Sequence, residues 1–232
     1  DLLYGFSLLA CLTRRELDTH ALRLFSAQLI AVSCFLLWPL RFTFERPELD
    51  GLFGWLFAVL AGFDKVSLLL AALNYLLLGA AGFQKRADGS LSPTARWLFA
   101  PYLLGAWINS RLWTKSQPEP HQIVDNVWLG RIPSQTQLLP FAAVVDMCAE
   151  LPLNPGMRGY CAVPVLDLTV PSAEHCLLAA ESIERLRQQG PLLVCCALGY
   201  SRSATAVAAW LLHSGRAETV DKAVAMIREG AP

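Results

Sequence analysis

Charge is scarce in this chain. Only 16% of its 232 residues are Asp, Glu, Lys or Arg, against about 25% in average globular sequences. That shortage argues against a disordered chain, and without a basic excess a nucleic-acid-binding domain is excluded too. Net charge is absent, since 19 Lys and Arg balance 19 Asp and Glu. Histidine is rare, at four. The seven cysteines (Cys11, Cys34, Cys148, Cys161, Cys176, Cys195 and Cys196) include no CxxC spacing, so the sequence offers neither a metal site nor a disulfide framework, and it implies no cofactor.

What the chain has in abundance is apolar side chains, 54% of the total, and they are unevenly spread. Residues 1–117 contain eleven basic and eight acidic residues, whereas 118–232 contain eight and eleven. Residues 24–40 and 66–83 are free of formal charge, and each is near the length that about 30 Å of hydrocarbon demands at about 1.5 Å per residue. Both are predicted membrane spans. Residues 97–108 carry Trp97, Tyr102 and Trp107 between Arg96 and Arg111, which fits a helix lying in the membrane interface. Lys85, Arg86, Arg96, Arg111 and Lys115 follow the second run, and by the positive-inside bias everything after it is expected in the cytoplasm of an integral inner or plasma membrane protein. The opening Asp1-Leu2-Leu3 reads as the continuation of a longer chain, and Gly230-Ala-Pro232 as stopping short of a further helical turn.

Gln117-Pro118-Glu119-Pro120 reads as a linker, because two prolines among polar residues cannot continue a helix. Beyond it, β-prone runs at 123–129, 142–148, 160–166 and 192–196 alternate with helical stretches at 172–189, 203–213 and 219–228. The expectation is an α/β domain over 118–232, a central sheet with flanking helices, preceded by a helical transmembrane region over 1–117.

The chemistry concentrates in Cys196-Ala197-Leu198-Gly199-Tyr200-Ser201-Arg202-Ser203. A buried strand ends at the cysteine, a short turn follows, and a helix begins at the arginine. Successive backbone N–H groups of such a turn converge on one point, the helix N-terminus adds positive potential, and Arg202 supplies a planar fork for two phosphate oxygens. The same field favours the thiolate of Cys196. Cysteine followed six residues later by arginine arises by chance about one time in three in a chain like this, but adding the glycine and the serine lowers that to about two in a thousand.

The segment resembles the HCxxGxxRS signature of the cysteine-dependent protein phosphatases, in particular the small dual-specificity branch, over about residues 121–230. Asp125-Asn-Val-Trp-Leu-Gly130 is similar to that branch's opening hairpin. The resemblance implies Cys196 as nucleophile, Arg202 and the loop residues Ala197 to Ser201 as the phosphate cradle, and Ser203 as hydrogen-bond donor to the sulfur. It also points to Asp167, 29 residues before the nucleophile, as general acid. Asp146 is a second choice, better suited to a structural role. The signature histidine is Cys195 here, which implies lower activity or a higher pH optimum rather than inactivation. Upstream, Arg41-Phe-Thr-Phe-Glu-Arg46-Pro47 resembles the first phosphate-binding motif of the type-2 phosphatidic acid phosphatases. None of His20, His121, His175 and His213 stands in the later motifs of that family, so the resemblance implies a remnant without catalytic histidines; a basic helix end at the membrane interface is the other reading.

The implied activity is that of a membrane-anchored phosphomonoesterase acting through a phosphocysteine. Its substrate would be a protein phosphorylated on tyrosine, or on serine or threonine, because no loop side chain adds a second positive charge. A phospholipid head group and a non-catalytic phosphate-binding module are alternatives. A rhodanese-like sulfurtransferase uses a similar loop, and the low-molecular-weight phosphatases place theirs near the start of the domain.

Overall fold

The computed structural model describes Ser67, residues 69–156 and residues 158–231. The predicted span at 24–40 and the Arg41–Pro47 motif lie outside these residues. Two compact units emerge among the described residues, one from 69–82 with 92–104, the other from 83–91 with 105–231.

In the first unit the apolar run at 66–83 is not one continuous span. The chain is α-helical to Leu73, widens into a π-helical turn over Asn74–Leu78, and tightens into a 3₁₀ turn over Gly79–Phe83. Glycine causes the break. Gly79 has φ +61, outside the helical region, so the uniform backbone of a long helix ends there. Among the described residues, no helix is long and apolar enough to cross a membrane. The predicted interfacial helix is two helices: α1 (Pro93–Leu98), which Ser92 caps by accepting from the Ala95 N–H at 3.1 Å, and α2 (Ala100–Trp113). Leu104, Trp107, Ile108, Leu112 and Trp113 of α2 are exposed.

The second unit is built on a five-stranded sheet, β1 (His121–Val124), β2 (Val127–Arg131), β3 (Ala143–Cys148), β4 (Gly159–Val165) and β5 (Leu192–Cys196), in the order β1-β2-β5-β3-β4. Only β1 pairs antiparallel; β2, β5, β3 and β4 are parallel. The β-prone run at 123–129 is a hairpin that turns at Asp125-Asn126, where Asp125 takes φ +49. Arg216 donates from Nε and Nη2 to Asp125 Oδ2 at 3.1 and 2.9 Å, holding that turn. The remaining helices are α3 (Ala173–Leu186), α4 (Arg202–His213) and α5 (Val220–Gly230). Ser172 and Thr219 cap α3 and α5 through their side chains; His175 closes a capping box with Ser172.

The period-2 alternation of strands sorts the central residues to two faces. Leu192, Val194 and Cys196 of β5, with Val145 and Met147 of β3, pack among α3, α4 and α5. Leu193 and Cys195, with Val144 and Cys148, face the opposite layer, where Leu138, Phe141, Leu151 and Leu153 cover them. Adjacent cysteines therefore belong to different cores.

Candidate active site

The cysteine loop leaves β5 at the carboxyl edge of the parallel sheet, where open α/β folds bind ligands. Its shape depends on Gly199, which has φ +85 and lies so close to β2 that a Cβ would meet the Gly130 carbonyl carbon at 2.6 Å and the Arg131 nitrogen at 2.7 Å. From the other side, Ser110 of α2 donates to the Ala197 carbonyl at 2.6 Å. Cys196 is buried, and its sulfur accepts the Gly199 N–H and the Ser203 hydroxyl, each at 3.2 Å. Ser201 does not cap α4 with its side chain, in contrast to Ser172 and Thr219 on their helices, so the first turn of α4 presents its N–H groups unclaimed by a side-chain cap.

Arg202 opens α4 and is fully buried. Its Nη1 donates to Glu150 Oε2 at 2.9 Å and to the Val165 carbonyl at 2.6 Å, while Nη2 donates to Asp167 Oδ1 at 3.0 Å. The Nε N–H is buried without a partner. Burial opposes the guanidinium charge, but Cys148, Glu150 and Cys196 outweigh it, and the group is held more firmly protonated than in water. A buried N–H without a partner is a donor that a ligand oxygen can take up.

Asp167 follows β4 with its side chain 37% exposed, so its carboxylate reaches solvent while one oxygen touches Arg202. Its backbone N–H donates to Glu150 Oε1. The structure thus joins Ser203 to Cys196 and Arg202 to Asp167 by direct hydrogen bonds, and Arg202 and Ser203 are consecutive in the first turn of α4. Asp146, the second choice for the acid, is elsewhere: it is buried on the opposite face of the sheet, bonded to Lys85. An aspartate sealed there cannot deliver a proton to a substrate.

Glu150 was not among the residues read from sequence. Besides Arg202 and Asp167, its Oε2 accepts the Cys148 thiol at 3.2 Å, and burial followed by Glu150 pushes that thiol's pKa well up, so Cys148 acts as a donor. A glutamate just after the β-prone run at 142–148 was the available signal, because a charge buried there is rare without a partner. Cys195, in the place of the signature histidine, is a buried thiol whose pKa is raised first by burial and then by Asp146. Its side chain packs in the core opposite to that of Cys196.

Around the site, Leu168 is 97% exposed, Val170 90% and Tyr200 54%, an apolar rim. Leu168, directly after the acid, also takes φ +57, a conformation that costs a non-glycine residue about 1–3 kcal/mol and concentrates at functional sites. A cavity of about 670 Å³ borders the loop through Leu198, Gly199, Tyr200 and Ser201, with His121 and Arg131 across it. Cys196, Arg202 and Asp167 are not in its lining. Among the described residues no group of three or more His, Cys, Asp or Glu is placed to hold a metal ion.

Residues 127–232 match the family model of the dual specificity phosphatase catalytic domain, which supports a phosphatase of the protein-tyrosine/dual-specificity class. Among solved structures, the active form of Tk-PTP is 28% identical, covering 50% of this chain and 86% of that one with a TM-score of 0.44. Human DUSP28 is 22% identical, over 48% of this chain and 83% of its own, with a TM-score of 0.43. The human tyrosine phosphatase-like serine/threonine/tyrosine-interacting protein is 19% identical over 49% and 85%, also at 0.43. Comparison with the curated proteins finds no match.

Proposed function

We propose that Cys196 is the nucleophile of a two-step phosphomonoesterase and that Asp167 is its acid and base. The observation that carries this reading is the pairing of two donors on the Cys196 sulfur with an adjacent arginine whose Nε is unengaged. In the first step the thiolate forms an S–P bond as the P–O bond to the substrate's leaving oxygen breaks, and the Asp167 carboxyl passes its proton to that oxygen. In the second, water attacks phosphorus, the Asp167 carboxylate takes its proton, and the S–P bond breaks with Ser203 donating to the departing thiolate. Arg202 and the amides of 197–202 hold the non-bridging oxygens, where charge accumulates.

Substrate class follows from what surrounds the cradle. Ala197, Leu198, Tyr200 and Ser201 carry no charge, which suits a single phosphoryl group, and the apolar rim of Leu168, Val170 and Tyr200 suits an aromatic leaving group. Phosphotyrosine in a protein is therefore the preferred substrate, with phosphoserine and phosphothreonine behind it. Attachment to a membrane is part of the same proposal and rests on the uncharged sequence at 24–40. Replacement of the signature histidine leaves turnover possible, because Cys195 faces the opposite core while both donors on the Cys196 sulfur are in place.

The test is hydrolysis of a phosphotyrosine peptide and of phosphatidylglycerol phosphate by membranes carrying the full chain, wild type against Cys196→Ser. Release of phosphate from the peptide by wild type alone is expected. Hydrolysis of the lipid alone would overturn the substrate assignment, and phosphate-ester binding without turnover would make the domain a binding module.

A further inference from the structure

We infer that Lys85, which lies outside the matched phosphatase domain, is a positioning residue for its active site. The inference rests on the phosphatase reading above and extends it to the segment Phe83–Leu91. The Lys85 ammonium is buried with a side-chain exposure of 1%, and its three N–H donors find three acceptors: Asp146 Oδ2 at 2.5 Å, the Cys148 carbonyl at 2.6 Å and the Leu151 carbonyl at 2.9 Å. Neutralising a buried charge requires Asp146 alone. The other two bonds do something different, for the carbonyls of Cys148 and Leu151 bracket Glu150, the residue that accepts from Arg202 Nη1 and from the Asp167 N–H. One ammonium thus ties both ends of the turn whose carboxylate orients the phosphate-binding arginine and the acid.

The segment that delivers Lys85 is itself keyed to this turn. Lys85 and Leu91 form a β-bridge, and Arg86 N–H donates to the Ser90 carbonyl at 2.8 Å. At the tip, the Gly89 carbonyl accepts the Leu153 N–H at 2.9 Å, and a Cβ on Gly89 would fall 2.3 Å from the Leu153 carbonyl oxygen. Only glycine fits, so the hairpin is seated at Leu151 and at Leu153. The catalytic constellation is completed by residues that precede the first strand of the sheet.

The experiment compares the full chain with Lys85→Met and with Lys85→Met/Asp146→Asn, the double change removing both buried charges so that the fold survives even if the single variant does not. Phenyl phosphate, which needs the acid, and p-nitrophenyl phosphate, which needs it less, are the substrates. In the folded double variant KM for both esters should rise about tenfold as Arg202 loosens, and kcat should fall about tenfold further for phenyl than for p-nitrophenyl phosphate as Asp167 drifts. Partial unfolding would lower both kcat values alike and leave KM unchanged. A folded double variant with wild-type KM and an unchanged kcat ratio would overturn the inference. If wild type hydrolyses neither ester, the phosphatase reading fails separately. Inorganic-phosphate affinity, compared between Cys196→Ser alone and Cys196→Ser with the two changes, then decides the clamp: a weakening of about tenfold supports it and equal affinity refutes it.

Discussion

Two buried cation–carboxylate systems meet at the turn of residues 148–151, and they are finished to different degrees. On the side of the opposite core, Lys85 spends every N–H, and Asp146 accepts from Lys85 and Tyr160 on one oxygen and from the Cys148 N–H on the other. Tyr160 is fixed as a donor, since burial and then Asp146 push its pKa up. At the loop, Arg202 is as buried but keeps Nε unpaired, and its Asp167 partner is partly in solvent. A complete network has nowhere to add a ligand; an incomplete one at the end of a strand does. Completion marks scaffolding here, and the remaining valence marks function.

The difference can be broken from either side. The largest effect is expected from Asp146→Asn, which leaves the Lys85 ammonium buried without a counter-charge and should cost about 3–5 kcal/mol of stability, read as a fall in urea midpoint. Next, Arg202→Lys keeps the charge but loses the fork and the Nε donor, and should lower kcat/KM by about 10²–10³ with the urea midpoint much less affected. Asp167→Asn should lower kcat by about 10² while tightening the inhibition constant for inorganic phosphate, since it removes a carboxylate that competes for Arg202; weaker phosphate binding would show that the pair assists rather than competes. The smallest effect concerns alkali. Burial lowers the Lys85 pKa but Asp146 outweighs it, leaving the group above its ordinary 10.5. Its contribution to stability is therefore complete below that value and lost as pH rises through the higher folded one, a decline in urea midpoint that Lys85→Met/Asp146→Asn should abolish.

Much of the domain was legible in the sequence because its signals are local. The compact apolar run Leu192–Cys196, the glycine in the turn and the arginine at the helix start are all within eleven residues, and the strand, turn and helix follow them. Ser172 announced its helix in the same way. The resemblance of Asp125–Gly130 to an opening hairpin implied the reversal at Asp125, which periodicity within the apolar run 123–129 does not by itself reveal. The run at 66–83 misled for a related reason: hydropathy registers length, and Gly79 acts on backbone geometry. Glu150 and Lys85 escaped because their meaning is in contacts across 52 and 61 residues of chain. Nothing near Lys85 in sequence points to an aspartate two strands away.

One end of one helix carries a further consequence. Because no side chain caps α4, an arriving phosphoryl group supplies the acceptors that Ser172 and Thr219 supply permanently for their own helices. On the proposed mechanism, substrate, phosphoenzyme and product phosphate would each become, in turn, a borrowed element of secondary structure. By mass action each should slow amide exchange in the first turn of α4 and raise the melting temperature in proportion to its occupancy, so the protein is most firmly folded while it is at work and loosens at that helix each time phosphate departs.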